Sequence, residues 1–212
     1  MPIIVKNTTY PNLADLLFPH SCRGCGRLGE VLCECCKNNI LAHRQNQKLR
    51  PPFYVVDSRN SLLGELIHDY KYHSIRALAK PLAKLLDETL PNDFPKNSII
   101  VPLPTATHHI RNRGLDHTLK IAKHLAKIRH YRVEKLLLRN QNTVQVGSTR
   151  DERLTQAKNA YTLNPKIKIQ KDATYILLDD VYTTGASITA AKKLLENNEA
   201  RHIKVALLAY SS

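Results

Sequence analysis

The chain has 212 residues, 42% of them hydrophobic and 24% charged, with a formal net charge of +14. That composition fits one α/β domain of ordinary size carrying a small appended module, and it excludes a disordered or fibrous chain. No stretch approaches the ~18 consecutive apolar residues of a membrane helix, and no charged-then-apolar leader opens the chain, so we expect a cytoplasmic protein without a membrane span. The charge is uneven. Residues 105–150 hold ten Lys/Arg against two Asp/Glu and five of the ten histidines. One face should therefore be strongly positive and suited to a polyanion such as nucleic acid or anionic lipid.

In chain order, the first informative segment is Cys22-Arg-Gly-Cys25, a seven-residue spacer, then Cys33-Glu-Cys35-Cys36. Two C-x2-C turns let four thiolates converge on one tetrahedral ion, and a disulfide framework is not expected without a secretory leader. Cys22, Cys25, Cys33 and Cys36 are the expected ligands of a structural zinc, with Cys35 or His20 as alternatives for the fourth position. Gly24 and Gly26 should relieve the tight backbone. Asn38–Arg50 is polar and basic, and Pro51-Pro52 then marks a boundary, which divides the chain into a zinc-binding module, residues 1–50, and a second domain, residues 51–212.

Phe53–Val56 reads as a strand. From Leu62 the spacing turns helical, and Ile75, Leu78, Ala79, Leu82, Leu85 and Leu86 form one stripe in which Pro81 should introduce a kink. Ser98–Leu103 is a short apolar strand ended by Pro102-Leu103-Pro104, and a polar loop follows. Asp116–Ile128 is a helix whose apolar side carries Leu119, Ala122, Leu125 and Ala126 and whose other side carries Lys120, Lys123, His124 and Lys127. Leu136–Leu138 reads as a strand and Gln141–Gln156 as a loop. Strand Ala173–Leu178, helix Ala186–Asn197 and strand Ile203–Tyr210 close the chain. That alternation predicts a parallel sheet covered by helices.

Tyr175-Ile-Leu-Leu-Asp179-Asp180-Val-Tyr182-Thr183-Thr184-Gly185-Ala186-Ser187 is an apolar strand that meets two acids and then a Thr-Thr-Gly turn opening a helix. Ligands of α/β sheets sit beyond the carboxyl ends of strands, where these acids fall. Adjacent carboxylates suit a vicinal diol. Threonine hydroxyls and the backbone N–H groups of Thr183–Ser187 at a helix start suit a phosphate, and Gly185 permits close approach.

This string resembles the signature by which type I phosphoribosyltransferases bind PRPP. The resemblance implies that Asp179 and Asp180 hold the ribose, that Thr183, Thr184, Gly185, Ala186 and Ser187 hold the 5′-phosphate, and that Pro102–Pro104 with Thr105 contacts pyrophosphate, bridged by magnesium. Over nearly its whole length the chain resembles the ComF family, which joins a zinc knuckle to a phosphoribosyltransferase-like domain. Besides the cysteines and the PRPP string, the likeness rests on Leu66–Tyr72, on Val101–Pro104 followed by Arg111-Asn-Arg-Gly114, and on Arg139–Asn159 with Gln145, Glu152-Arg153 and Asn159. The family often has Phe-Asn-Gln where this chain reads Leu115-Asp116-His117, and a smaller residue where it has Tyr182.

The resemblance implies a role in natural transformation: receiving single-stranded DNA, peripherally at the inner face of the cytoplasmic membrane, beside a helicase or other uptake proteins. The expected DNA contacts are Lys71, Arg76, Arg111, Arg113, Lys120, Lys123, Lys127, Arg129 and Arg132, with stacking left to Tyr70, Tyr72 and Tyr131. Two further readings stand beside it. One is an active phosphoribosyltransferase with a nitrogen acceptor, for which Asp180 is the candidate base. The other is PRPP as a ligand that tunes DNA binding without chemistry.

Overall fold

The computed structural model describes residues 20–42, 51–140 and 160–211. In chain order these form α1 (Glu34–Ala42), β1 (Phe53–Ser58), α2 (Leu62–Tyr72), a 3-10 turn (Arg76–Leu78), α3 (Ala79–Thr89), β2 (Ile99–Pro102), α4 (Thr107–Arg113), α5 (His117–Arg129), β3 (Arg132–Val133), β4 (Leu137–Arg139), β5 (Tyr161–Leu163), β6 (Thr174–Tyr182), α6 (Ala186–Glu196) and β7 (His202–Tyr210). The expected loop at Gln141–Gln156, with Gln145, Glu152, Arg153 and Asn159, lies outside the described residues.

Five strands form one sheet in the order β1-β7-β6-β2-β3, every pair parallel, and β4 and β5 form a separate antiparallel ribbon. This is the mixed α/β architecture that the alternation predicts. A parallel sheet is buried on both faces, so its strands read as unbroken apolar runs. Alternate residues of β6 then serve two cores. Ile176 and Leu178 join Val56, Ile100, Ala206 and Leu208 under α2, α3 and α5, while Tyr175 and Leu177 join Val55, Ile99, Val101 and Leu207 under α6 and the ribbon. Cys22, Val31, Leu32, Cys33, Cys36 and Ile40 belong to the first of these cores, so the cysteine segment and the helices share one hydrophobic cluster.

Several boundaries differ from the sequence expectation, each for a local reason. Pro81 does not kink a helix interior. It sits in the first turn of α3, where its missing N–H is among those a helix leaves unbonded anyway. Residues after Pro104 form α4, closed by Gly114 at φ +64, whose N–H donates to the Ile110 carbonyl at 2.8 Å. Strand β6 runs past Leu178 to Tyr182, so both acids lie within the strand. Arg129 closes α5 by reaching to the end of α3. It pairs with the Asp87 carboxylate and donates to the carbonyls of Asp87 and Pro91 at 2.6 Å and of Leu90 at 2.9 Å.

The topology positions the site. The chain leaves β2 toward β3 at one edge and leaves β6 toward β7 on the other side, although β2 and β6 are neighbours. Connections that diverge from adjacent strands open a crevice at their carboxyl ends. The loop 102–105 and the turn 179–187 both open onto it.

Candidate functional sites

The cysteine cluster forms from local structure. The first turn is closed by the Cys22 N–H to the Arg27 carbonyl and the Gly26 N–H to the Cys22 carbonyl, each 2.8 Å, with Gly26 at φ +76. The second C-x2-C leads into α1, so Cys33 and Cys36 share its opening turn. The four sulfurs of Cys22, Cys25, Cys33 and Cys36 all lie within 4.8 Å of one another, and Cys25 Sγ is 3.6 Å from Cys33 Sγ. Tetrahedral zinc with Zn–S bonds of ~2.3 Å needs sulfurs roughly 3.8 Å apart, so the set fits. Cys35 is exposed and, like His20, falls outside the group. Gly24 is required for space: a Cβ there would stand 2.7 Å from Cys36 Sγ and 2.7 Å from the Leu62 side chain.

Electrostatics within the cluster also suit a cation. Burial opposes ionisation of Cys22, yet the N–H groups of Cys33, Cys25 and Gly24 outweigh it and bring the thiol down to about 6. Burial and the neighbouring sulfurs push Cys36 up. One thiol ionises readily and the next resists, which is the charge problem a bound divalent ion relieves. All four positions would be protein ligands, so such an ion would be structural rather than catalytic.

The second site is the turn after β6. Successive residues of a strand face opposite sides, so the two acids meet different neighbours. Asp180 faces α2 and pairs with Lys71, Nζ to Oδ2 2.6 Å, both side chains being largely covered. Asp179 accepts the Asp180 N–H at 2.9 Å. Burial, and then the charge of Asp180, raise its carboxyl to about 7 against the weaker pull of Lys71 and Arg139. Gly185, at φ +74, caps α6, and a Cβ there would lie 2.3 Å from the Tyr182 hydroxyl. The bulky Tyr182 is thus accommodated by the bare glycine beside it and by an edge-on contact with Phe53, 5.7 Å between ring centroids. Thr183, Thr184, Ala186 and Ser187 are exposed at this turn.

Sequence reasoning missed two residues that the ribbon brings here. Tyr161, buried in β5, has the Ser187 side chain beside its hydroxyl, and the Arg139 guanidinium lies 5.9 Å from its ring centroid. The only sequence signal was that the family-like block begins at Arg139. Across the crevice, the Thr105 hydroxyl donates to Asp116 Oδ1 at 3.3 Å, and the same oxygen accepts the Leu119 N–H at 3.1 Å to cap α5. In this way Asp116 and His117 have structural roles: the buried Tyr70 donates to the His117 carbonyl at 3.1 Å and packs edge-on against its ring.

The cationic candidates separate into two groups. Arg76, Arg111, Lys120, Lys123 and Lys127 are exposed. Lys71 is bound to Asp180 and Arg129 to the end of α3, so neither offers an open surface charge. Arg132 is exposed but held by Gln170 and Glu134; the side chain of Arg113 lies outside the described residues. Of the tyrosines, Tyr70 is buried, Tyr131 is half-buried and Tyr72 is 60% exposed. Burial and then Lys120, Lys127 and Lys80 lower the pKa of His124, which records a positive field across the outer side of α3 and α5.

Among the described residues no helix is long and apolar enough to cross a membrane. No family model matches the chain. Two curated proteins are similar to it: competence protein ComFC of Bacillus subtilis (strain 168), 26% identical over 194 residues, covering 87% of this chain and 75% of that one, and competence protein ComFC of Streptococcus pneumoniae (strain ATCC BAA-255 / R6), 26% identical over 190 residues, covering 84% and 80%. Likeness over most of both chains supports a ComF-family protein.

Proposed function

We propose that this protein binds PRPP and handles single-stranded DNA during competence, the process for which its two relatives are named. The observation that carries the PRPP reading is the meeting, at the divergence of β2 and β6, of two acids, a Thr-Thr-Gly helix start and the loop ending at Thr105. In this reading Asp179 and Asp180 take the ribose hydroxyls and Thr183–Ser187 the 5′-phosphate. Magnesium would accompany the pyrophosphate; Thr105 and the Pro102–Pro104 loop lie on that side. Zinc would be held by Cys22, Cys25, Cys33 and Cys36, and residues 1–50 and 51–212 remain our division of the chain.

Single-strand binding would use the exposed line Lys120, Lys123 and Lys127 on α5, which starts near Asp116 at the crevice, joined by Arg76 and Arg111. Phosphate contacts of this kind are not sequence-specific and weaken steeply with salt. We place the protein on the cytoplasmic side, where a helicase or other uptake proteins would deliver the strand.

Titration with PRPP and magnesium tests the assignment. The Asp179→Ala/Asp180→Ala double variant should keep its circular dichroism spectrum and lose PRPP binding; wild-type affinity in that variant would refute the ribose assignment. One observation favours the phosphoribosyltransferase alternative. The candidate base Asp180 is paired with Lys71, and it stands beside Asp179, whose carboxyl, raised to about 7, can exchange a proton near neutral pH. Release of pyrophosphate from PRPP in the presence of a nucleobase panel separates the two.

A further inference from the structure

A second cleft adjoins the phosphate-type turn on the side away from the ribbon. It has a volume of about 250 Å³ and runs between α2 and the segment Asp180–Thr183, with Arg59, His68, Lys71 and Tyr72 along its length. Its α2 residues recur at helical spacing from Gly64 to Tyr72, a run of roughly 12 Å at the rise of an α-helix, long enough for one nucleotide.

The two ends of the cleft differ in chemistry. At one end His68 and Tyr72, both exposed, stack with ring centroids 4.9 Å apart at 38°, and His73 closes edge-on against His68 at 5.0 Å. This chain has no tryptophan, and Tyr72 is its most exposed tyrosine among the described residues. At the other end stands Arg59. Its N–H donates to the Tyr210 carbonyl at 2.8 Å, and its own carbonyl lies where a Cβ on Gly64 would be, 1.8 Å away. The glycine lets α2 press on this backbone, which fixes the Arg59 main chain at the rim of the cleft and leaves its side chain exposed there. Between the ends, the floor is the neutralised Lys71–Asp180 pair. An exposed pair of aromatic rings, a neutral polar floor and a guanidinium at the rim match a base, a sugar and a phosphate in that order.

We propose that this cleft is a nucleotide subsite, in which the base stacks on the His68–Tyr72 pair and the phosphate meets Arg59. The ligand class is a nucleoside 5′-phosphate, taken free or as one residue of a single strand. The inference deepens the reading above and rests on it only through Asp180 and Thr183, which the two sites share.

Calorimetric titration of the full chain with deoxyadenosine monophosphate, with a short deoxyadenosine oligomer and with PRPP–magnesium tests it. Tyr72→Ala should weaken nucleotide or oligomer binding about tenfold, Tyr72→Phe should restore it, and Arg59→Ala should weaken it and flatten its salt dependence. PRPP affinity should stay unchanged in all three. An effect on the monophosphate identifies a free nucleotide as sufficient, and an effect on the oligomer alone identifies a residue within a strand. Wild-type protein that binds neither probe, or Tyr72→Ala and Arg59→Ala variants that bind both as tightly as wild type, would overturn the proposal. The PRPP reading fails separately, through absent PRPP binding in a protein whose nucleotide affinity still responds to Tyr72→Ala.

Discussion

The cysteine cluster and the turn after β6 are both contiguous motifs, yet they differ in how much of the site each motif contains. Fifteen residues, Cys22 to Cys36, supply all four sulfurs, which their own turns and the start of α1 bring within 4.8 Å of one another. The thirteen residues from Tyr175 to Ser187 supply only a frame. Lys71 from α2, Arg139 and Tyr161 from the ribbon, and Thr105 beyond β2 decide the charge and shape of that site. A knuckle carries its own geometry, whereas a crevice between parallel strands is completed by whatever the topology delivers.

The sharpest way to break that comparison is through the metal. Cys22→Ser should empty the cluster of zinc and cost several kcal/mol of stability, since structural zinc contributes of order 10 kcal/mol to folding in small metal modules. Elemental analysis and urea denaturation read both effects, and Cys35→Ser is the control that should retain zinc. If Cys22→Ser keeps its zinc, the self-contained knuckle is the wrong description.

The site after β6 should instead answer to pH. The Asp179 carboxyl titrates near 7 in the fold and near 3.8 in the unfolded chain. Between those values the native state binds a proton that the unfolded state does not, so this group's contribution to stability falls as pH rises through the window and levels off above about 7. Ribose hydroxyls donate to the ionised form, so PRPP affinity should rise with pH, by up to tenfold per unit below about 7, and then flatten. Asp179→Asn should remove the slope in stability and stabilise the protein at pH 8, and paired denaturation and calorimetric series check it.

The smallest expected effect comes from Arg129. Arg129→Ala should cost about 2 kcal/mol, as expected for charged hydrogen bonds at a helix end, and leave DNA affinity unchanged. Urea denaturation beside a filter-binding salt series separates that outcome from a DNA role.

These contrasts also explain what could be read from the sequence. The β-α-β ending, both motifs and the basic side of α5 were legible because each is local: an apolar run, a spacing, a periodicity. The end of β6 was not, because aspartate is unfavourable in strands and its placement there depends on pairing with β7, where Asp179 stands opposite Leu207. Helix α4 was missed because Thr107–Arg113 has no apolar stripe to betray it. Lys71 and Arg129 looked like surface charge because their partners lie in distant segments, and a composition count cannot tell a paired cation from an open one.

Arg23 ties the two halves of that comparison together. It lies inside the first C-x2-C turn, and its Nε donates to Asp69 Oδ2 at 2.7 Å on α2, while His73 Nδ1 meets the other oxygen of the same carboxylate at 2.8 Å. The residue between two cysteines is usually read as filler, free to drift while the sulfurs stay fixed. Here it is bound to a partner on the helix that lines the nucleotide cleft, so an inherited change at position 69 should be matched by one at position 23, and the pair should travel through the lineage as a single character.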